Sequence, residues 1–237
     1  MNPPGLWIAF RKSPVAYHPA TCNGRPASCD LLDLPLGLCH NFSMNTLRTF
    51  IAIELPAEIL GRMEQTQAQL KATAPPRSVR WVHTEGIHLT LKFLGQVPTS
   101  QVDAITRAMS AAAQSIAPFT VTVGGVGCFP STKLPRVVWI GVSEPTGGLN
   151  SLQHALEAAI SPLGYPPEDR RFQPHLTLGR TARDAPPDDV RRLGQVVAAA
   201  NVGVLGQVAV GEIALIKSDL KPTGAEYTAL QRARLKT

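Results

Sequence analysis

The chain has 237 residues, of which 44% are hydrophobic and 17% are charged, and its formal net charge is +6 at pH 7. This length suffices for one globular domain or two small lobes, and its apolar runs are too short to give a membrane-spanning helix. The isoelectric point near 9.4 fits a polyanionic partner such as a nucleic acid or a phosphorylated small molecule.

The N-terminal stretch, residues 1–43, differs from the rest of the chain. It holds six prolines, three of the four cysteines and no sustained helical or strand period. The spacing of these cysteines and His40 fits no common short zinc motif. We therefore expect an unstructured extension, or a stretch upstream of the true translation start, followed by a single domain at 44–237. Because that domain contains only Cys128, it is not a disulfide scaffold, and we expect a reducing cytoplasmic location.

After Met44 the hydrophobic pattern alternates between the strand period and the helical period. The expected strands are Leu47–Ile53, Arg80–Val82, Ile87–Leu94, Phe119–Val123, Val137–Val142, a segment beginning at His175, Val208–Ile216 and Glu226–Leu230. The expected helices follow Pro56, follow Thr99 or Ser100, run through Leu149–Ile160 and run through Val190–Val197. The glycine-rich segment Gly124–Gly127 is expected to turn the chain.

An internal repeat organises these elements. The order strand, helix, strand, helix occurs from Leu47 to Ile116 and again from Val137 to Ala200. No proline- or serine-rich linker separates the halves. The sequence therefore predicts an α+β body of two pseudo-twofold lobes within one domain.

One four-residue phrase occurs once in each half. His88-Leu89-Thr90-Leu91 reappears as His175-Leu176-Thr177-Leu178. In a strand, residues i and i+2 point to the same face, so each copy presents an imidazole and a hydroxyl on a polar face and two leucines on a buried face. If the strands face each other, two imidazoles and two hydroxyls converge on one small ligand.

These motifs and their flanking segments resemble a known family. The matching segments are Arg48–Pro56, His88–Gly95, Arg136–Gly141 and Pro174–Arg180. They are similar to those of the two-histidine phosphoesterases, specifically the RNA 2′,3′-cyclic phosphodiesterases historically called 2′–5′ RNA ligases. The resemblance covers about Met44 to Leu230. It implies antiparallel sheets flanking a central cleft with helices outside, and hydrolysis of RNA 2′,3′-cyclic phosphodiester ends to 2′-phosphates.

The resemblance also assigns roles to single residues. His88 and His175 are the expected catalytic residues, with His88 as the acid and His175 as the base. Their unperturbed pKa of about 6.5 allows either role near neutrality. Thr90 and Thr177 are expected to bind the nonbridging phosphate oxygens, and Arg180 to grip the phosphate. No metal and no cofactor are expected.

The alternation of side chains along a strand determines which face each basic residue is expected to take. Strict alternation from His175 puts Arg180 on the leucine side unless the strand ends or bulges near Gly179. The same alternation from His88 puts Lys92 on the cleft side. Lys133 and Arg136 lie in the predicted loop Cys128–Arg136 and are candidates to bind along an RNA strand.

Three other functions stay open at this point. The chain could join RNA halves through a 2′–5′ linkage, which is the reverse of the same chemistry. It could bind RNA ends or nucleotides without turning them over. It could be a zinc hydrolase, although no third ligand stands at a recognisable spacing from the histidines. The expected partner of the protein is an RNA end or a nucleotide with a 2′,3′-cyclic phosphate rather than a membrane, and we expect a monomer.

Overall fold

The computed structural model describes residues 45–222 and 224–236. The expectation of an unstructured extension at 1–43 lies outside the described residues. Within them, the chain forms an α+β structure with two antiparallel sheets and four α-helices. This confirms the predicted fold class. No helix in these two ranges is long and apolar enough to span a membrane.

The elements alternate along the chain much as the sequence predicts. The strands are β1 (Thr46–Glu54), β2 (Val79–Trp81), β3 (His88–Pro98), β4 (Phe119–Ser131), β5 (Leu134–Ser143), β6 (His175–Thr181), β7 (Val204–Val210), β8 (Glu212–Lys221) and β9 (Gly224–Arg234). The helices are α1 (Ala57–Thr73), α2 (Val102–Gln114), α3 (Gly148–Ile160) and α4 (Pro187–Ala199).

The two sheets repeat one arrangement. The first sheet has the order β3-β1-β8-β9, and the second has the order β2-β6-β5-β4-β7. In the first sheet His88 lies opposite Glu54 of β1, and in the second His175 lies opposite Gly141 of β5. Each partner stands the same number of residues before its histidine. The duplication in the sequence is therefore a duplication of strand register.

Two sequence expectations about strands are wrong. The glycines at 124–127 do not turn the chain, because β4 continues through them with a register shift at Gly125, whose φ is +70°. This strand lies between β5 and β7, and pairing on both sides holds it extended. The stretch 208–216 is two strands rather than one. Gly211 separates β7 in the second sheet from β8 in the first, and the apolar pattern on either side hides that crossing.

The leucines of both motifs lie in the same hydrophobic core. Leu89, Leu91, Leu176 and Leu178 are each at most 3% exposed. Burying one such side chain contributes roughly 1.5–3 kcal/mol. Cys128 is also buried, and burial raises the pKa of its thiol to about 11. It is therefore no thiolate nucleophile near neutral pH.

A bulge interrupts each histidine strand at the last residue of the motif, Leu91 in β3 and Leu178 in β6. In β3 the register advances by two residues, from Thr90 to Lys92, while β1 advances by one. Lys92 consequently turns into the core opposite Ile51 instead of facing the cleft, which corrects the parity prediction. Its ammonium group binds the carboxylate of Glu157 on α3 and donates a hydrogen bond to the carbonyl of Pro166 at 3.0 Å.

Breaking this buried pair should destabilise the fold. The Lys92 side chain is 1% exposed and that of Glu157 is 12% exposed. In Lys92→Met the carboxylate loses its ammonium partner in a low-dielectric site, so we expect the free energy of unfolding to fall by about 3 kcal/mol in urea titration. Lys92→Met with Glu157→Leu should recover part of that loss, because no unpaired charge remains.

Lys217→Met is the matched control. Its ion pair with Asp219 is partly exposed, so it should cost about 0–1 kcal/mol. Equal losses in Lys92→Met and Lys217→Met would contradict a structural role for the buried pair.

Candidate functional site

The two histidines occupy equivalent places at the seam between the sheets. His88 begins β3 and His175 begins β6. The Cα traces of these strands approach within 8 Å although they share no ladder of hydrogen bonds. Both side chains are neither fully buried nor fully exposed. The fold therefore brings the two histidine strands close to each other.

The same backbone contact orients each ring. Nδ1 of His88 lies 2.8 Å from the carbonyl oxygen of Gly86, and Nδ1 of His175 lies 2.7 Å from that of Gln173. A carbonyl only accepts hydrogen bonds, so Nδ1 carries the proton and donates it. This leaves Nε2 of each ring as the nitrogen for exchanging protons with a ligand.

Aromatic side chains pack against both histidine rings, and they come from different strands in the two lobes. Phe50 of β1 stacks on His88 at a centroid distance of 4.3 Å, and Tyr227 of β9 meets the same ring edge-on at 4.9 Å. His175 instead meets Phe129 of β4 edge-on at 4.8 Å. The sequence analysis does not single out these three residues. No local sequence pattern identifies them, because only the order of the strands in the two sheets brings them to the rings.

The environment of His88 favours its neutral form. Burial lowers the pKa of His88, while the hydrogen bond to Gly86 and the charge of Glu54 act in the opposite direction. Glu54 lies opposite His88, but it is also bound by the Arg232 guanidinium through contacts of 2.9 and 3.2 Å. Desolvation is the largest of these effects, so the free protein disfavours the imidazolium.

The two threonines keep the face predicted for them. Thr90 lies opposite Ala52, and Thr177 lies opposite Trp139 of β5. Both threonines are half-buried and precede the bulges, so each shares a face with the histidine two residues earlier. The polar face at the start of each strand therefore carries an imidazole and a hydroxyl.

The bulge in β6 determines where Arg180 lies. The register advances from Thr177 to Gly179 while β5 advances by one residue, and Arg180 then lies opposite Val137. Val137 and Trp139 alternate onto one face of β5, and residues directly opposite share a face. Arg180 consequently lies on the face of Thr177, and it is exposed.

Other basic residues have separate positions. Arg80 of β2 lies opposite Arg180 in the ladder and is exposed, although the sequence singled it out only as a strand residue. Lys133 lies in the turn that joins β4 to β5, and Arg136 lies near the start of β5. Both are exposed, and their contact with an RNA strand stays a prediction. The described ranges contain no group of three or more His, Cys, Asp or Glu side chains able to hold a metal ion.

The arrangement suits phosphoryl chemistry. Two imidazoles with free Nε2 atoms can act as a proton donor and a proton acceptor. Hydroxyls and a guanidinium on the same faces can donate hydrogen bonds to phosphate oxygens.

A profile of the family described as LigT like Phosphoesterase matches the chain twice in succession. The matches cover residues 53–139 and 140–227, and each contains one of the two histidine motifs. Each match also contains the residue that lies opposite its histidine, Glu54 in the first and Gly141 in the second.

Individual relatives match most of the chain. An RNA 2′,3′-cyclic phosphodiesterase of Methanothermobacter thermautotrophicus is 31% identical over 189 residues, which is 80% of this chain and 99% of that protein. A protein of the same name from Thermus thermophilus is 32% identical over 196 residues, covering 80% and 91% of the two chains. The crystal structure of E. coli LigT complexed with 3′-AMP matches with a TM-score of 0.64 at 30% identity, covering 81% of this chain and all of that one.

Proposed function

The chain belongs to the family of LigT-like phosphoesterases, and we propose that it hydrolyses RNA 2′,3′-cyclic phosphodiester ends to 2′-phosphates. The observation that carries this proposal is the pair of histidines in equivalent registers on two neighbouring strands. Relatives that cover most of the chain are named RNA 2′,3′-cyclic phosphodiesterases, which supports the same substrate class.

The proposed reaction is an in-line displacement by water. His175 acts as the base and takes a proton from the attacking water, while the new bond between the water oxygen and phosphorus forms. The bond from phosphorus to the ribose 3′ oxygen breaks, and His88 protonates that oxygen. Each positioned acid or base contributes roughly 10²–10⁴-fold to the rate. The product carries the phosphate on the 2′ oxygen and a free 3′-hydroxyl.

Thr90, Thr177 and Arg180 stabilise the phosphate in this proposal. The threonine hydroxyls donate hydrogen bonds to the nonbridging oxygens as negative charge shifts in the transition state. Arg180 lies beyond Thr177 on the same face, and its planar guanidinium can bind two oxygens together. The strained ring of the substrate activates the phosphate without a metal ion.

Substrate binding favours the protonated form of His88, which its proposed role as the acid requires. Burial disfavours its imidazolium in the free protein, but a bound phosphodiester brings a negative charge next to the ring. A nearby opposite charge favours the charged form of a titratable group. The proposed acid is therefore loaded with its proton in the complex with substrate.

Product analysis tests this function directly. A short RNA ending in a 2′,3′-cyclic phosphate is incubated with the full chain, and the new end group is identified by mass spectrometry and by its resistance to a 3′-specific phosphatase. We expect a 2′-phosphate. A 3′-phosphate would contradict the proposed leaving group, and an unchanged cyclic end would contradict catalysis.

Replacing either histidine should nearly abolish turnover without unfolding the protein. His88→Ala and His175→Ala each remove one of two groups that act together, so the double variant should be little slower than either single one. Thr90→Val and Thr177→Val should lose less, about 1–3 kcal/mol each of transition-state stabilisation. Single-turnover rates with the cyclic-phosphate RNA measure all five variants.

His154→Ala is the matched control for the histidine variants. His154 is an exposed histidine on α3, so its loss should leave the rate unchanged. If the losses of the two active-site variants are additive in the double variant, the two histidines do not form one acid–base pair.

Turnover should persist in EDTA and depend on pH in a bell shape. Low pH protonates the base and high pH deprotonates the acid, so kcat/KM falls on both sides of its optimum. The pKa values of the two limbs belong to the coupled pair of histidines rather than to either one. Because burial lowers the pKa of His88 in the free protein and substrate opposes that effect, the alkaline limb of kcat should lie at higher pH than that of kcat/KM. Loss of activity in EDTA with recovery in Zn²⁺ or Mn²⁺ would refute the two-histidine mechanism.

A further inference from the structure

The outer edge of the second sheet carries one arginine, Arg80, that the proposed reaction does not use. Arg80 and Arg180 lie directly opposite each other in the β2–β6 ladder. Opposed like charges destabilise a strand pair, and no carboxylate of the described residues lies within 4 Å of either guanidinium. An anion bound between the two side chains would relieve this repulsion.

The backbone beneath the two arginines is firmly anchored. The buried amide of Gln67 donates hydrogen bonds to the carbonyls of Val82 at 2.9 Å and Leu178 at 3.0 Å, and the N–H of Val82 donates to Leu178 at 3.0 Å. A Cβ atom on Gly179 would lie 2.6 Å from Cγ1 of Val79, so β2 packs closely on β6. The edge strand is therefore a fixed platform for the arginines rather than a loose end.

The arginine pair extends outward from the reacting phosphate. Thr177 lies opposite Trp139 and Arg180 lies opposite Val137, which stand two residues apart on β5. That offset is about 6.6 Å along a strand. Arg80 lies one strand farther out, at a Cα separation from Arg180 of about 4.5–5.5 Å. A row of phosphate-binding groups thus runs from Thr177 through Arg180 to Arg80.

The first lobe has no equivalent row. Phe93 stands in the place of Arg180, because it lies at the same distance after His88, and its side chain is 56% exposed. Among the described residues β3 is the edge strand of the first sheet, and none of their strands lies beyond it in the place that β2 takes in the second. The site is therefore asymmetric, with the cationic row on the side of the second lobe.

We propose that Arg80 binds the phosphate that precedes the cyclic end in an RNA chain, beside Arg180 on the reacting phosphate, and so makes the protein prefer oligonucleotides to mononucleotides. This inference rests on the proposed function for its substrate class. The guanidinium of Arg80 suits a phosphodiester because it offers planar donors to two oxygens. Arg80 is a binding residue in this account and takes no part in the chemical step.

Two substrates with the same terminal nucleoside test the inference. One is a short RNA ending in a 2′,3′-cyclic phosphate, and the other is the nucleoside 2′,3′-cyclic phosphate alone. Arg80→Gln should lower kcat/KM for the RNA about tenfold, mainly through KM, as expected for a lost charge-assisted contact. Turnover of the mononucleotide should stay unchanged. The slope of log(kcat/KM) against log[salt] for the RNA should become shallower by about 1.

Matched variants separate this role from a general loss of charge or structure. Arg107→Gln removes an exposed arginine from α2 and should affect neither substrate. Arg80→Lys keeps the charge without the planar fork, so it should restore part of the preference for RNA. Equal effects of Arg80→Gln on the two substrates, no effect on either, or a wild-type protein without preference would overturn the inference.

A binding measurement distinguishes failure of this inference from failure of the proposed function. The anisotropy of a fluorescent pentaribonucleotide with a 2′-phosphate reports affinity without turnover. We expect about a tenfold weaker Kd for Arg80→Gln. If the wild type opens no cyclic phosphate but this loss of affinity occurs, the catalytic proposal fails and the binding site stands. If turnover occurs and the affinity does not change, the site at Arg80 fails alone.

Discussion

The hydrogen-bonded register between each histidine strand and its inner neighbour is the constraint on which the rest of the cleft depends. Side chains alternate along a strand, so a shift of one residue would exchange the polar and buried faces. The β1–β3 and β5–β6 pairs hold equivalent registers at the two motifs. Leucines on the reverse face enter the core, and their burial resists any slip that would expose them.

The bulge at the end of each motif has the same geometry in both lobes, but the residues that follow it differ in their chemistry. In β3 it turns Lys92 inward, where the ammonium joins α3 to the carbonyl of Pro166 in the segment leading to His175. In β6 the equivalent inward residue is Gly179, whose missing side chain lets β2 pack closely. The residue that follows this inward position is exposed in both strands. It is Phe93 in β3 and Arg180 in β6.

Much of this arrangement follows from the sequence. The repeated motif, its alternating leucines and the helical periods predict the α+β class, the duplication and the polar faces of His88 and His175. These predictions succeed because they depend on short-range periodicity. The failures at Lys92 and at 208–216 have the opposite origin. A bulge or a crossing between sheets depends on which strand lies alongside, and one chain's residue pattern does not contain that information.

The ring contacts show the same limit. Phe50, Phe129 and Tyr227 come from three different strands, and only the pairing of those strands brings them to the histidines. The carbonyls of Gly86 and Gln173 orient the rings through local backbone geometry that residue types do not reveal. Residue types indicate the chemistry of this site, whereas strand pairing determines its shape.

The central claim is that His88 and His175 act on one phosphate. Long-range ¹H–¹⁵N spectra of the histidine rings, recorded while adenosine 2′-monophosphate is added, test it most directly. We expect the ring signals of both histidines to shift and saturate at the same ligand concentration, while those of His154 stay in place. A response from only one of the two, or saturation at two different concentrations, would contradict a shared site.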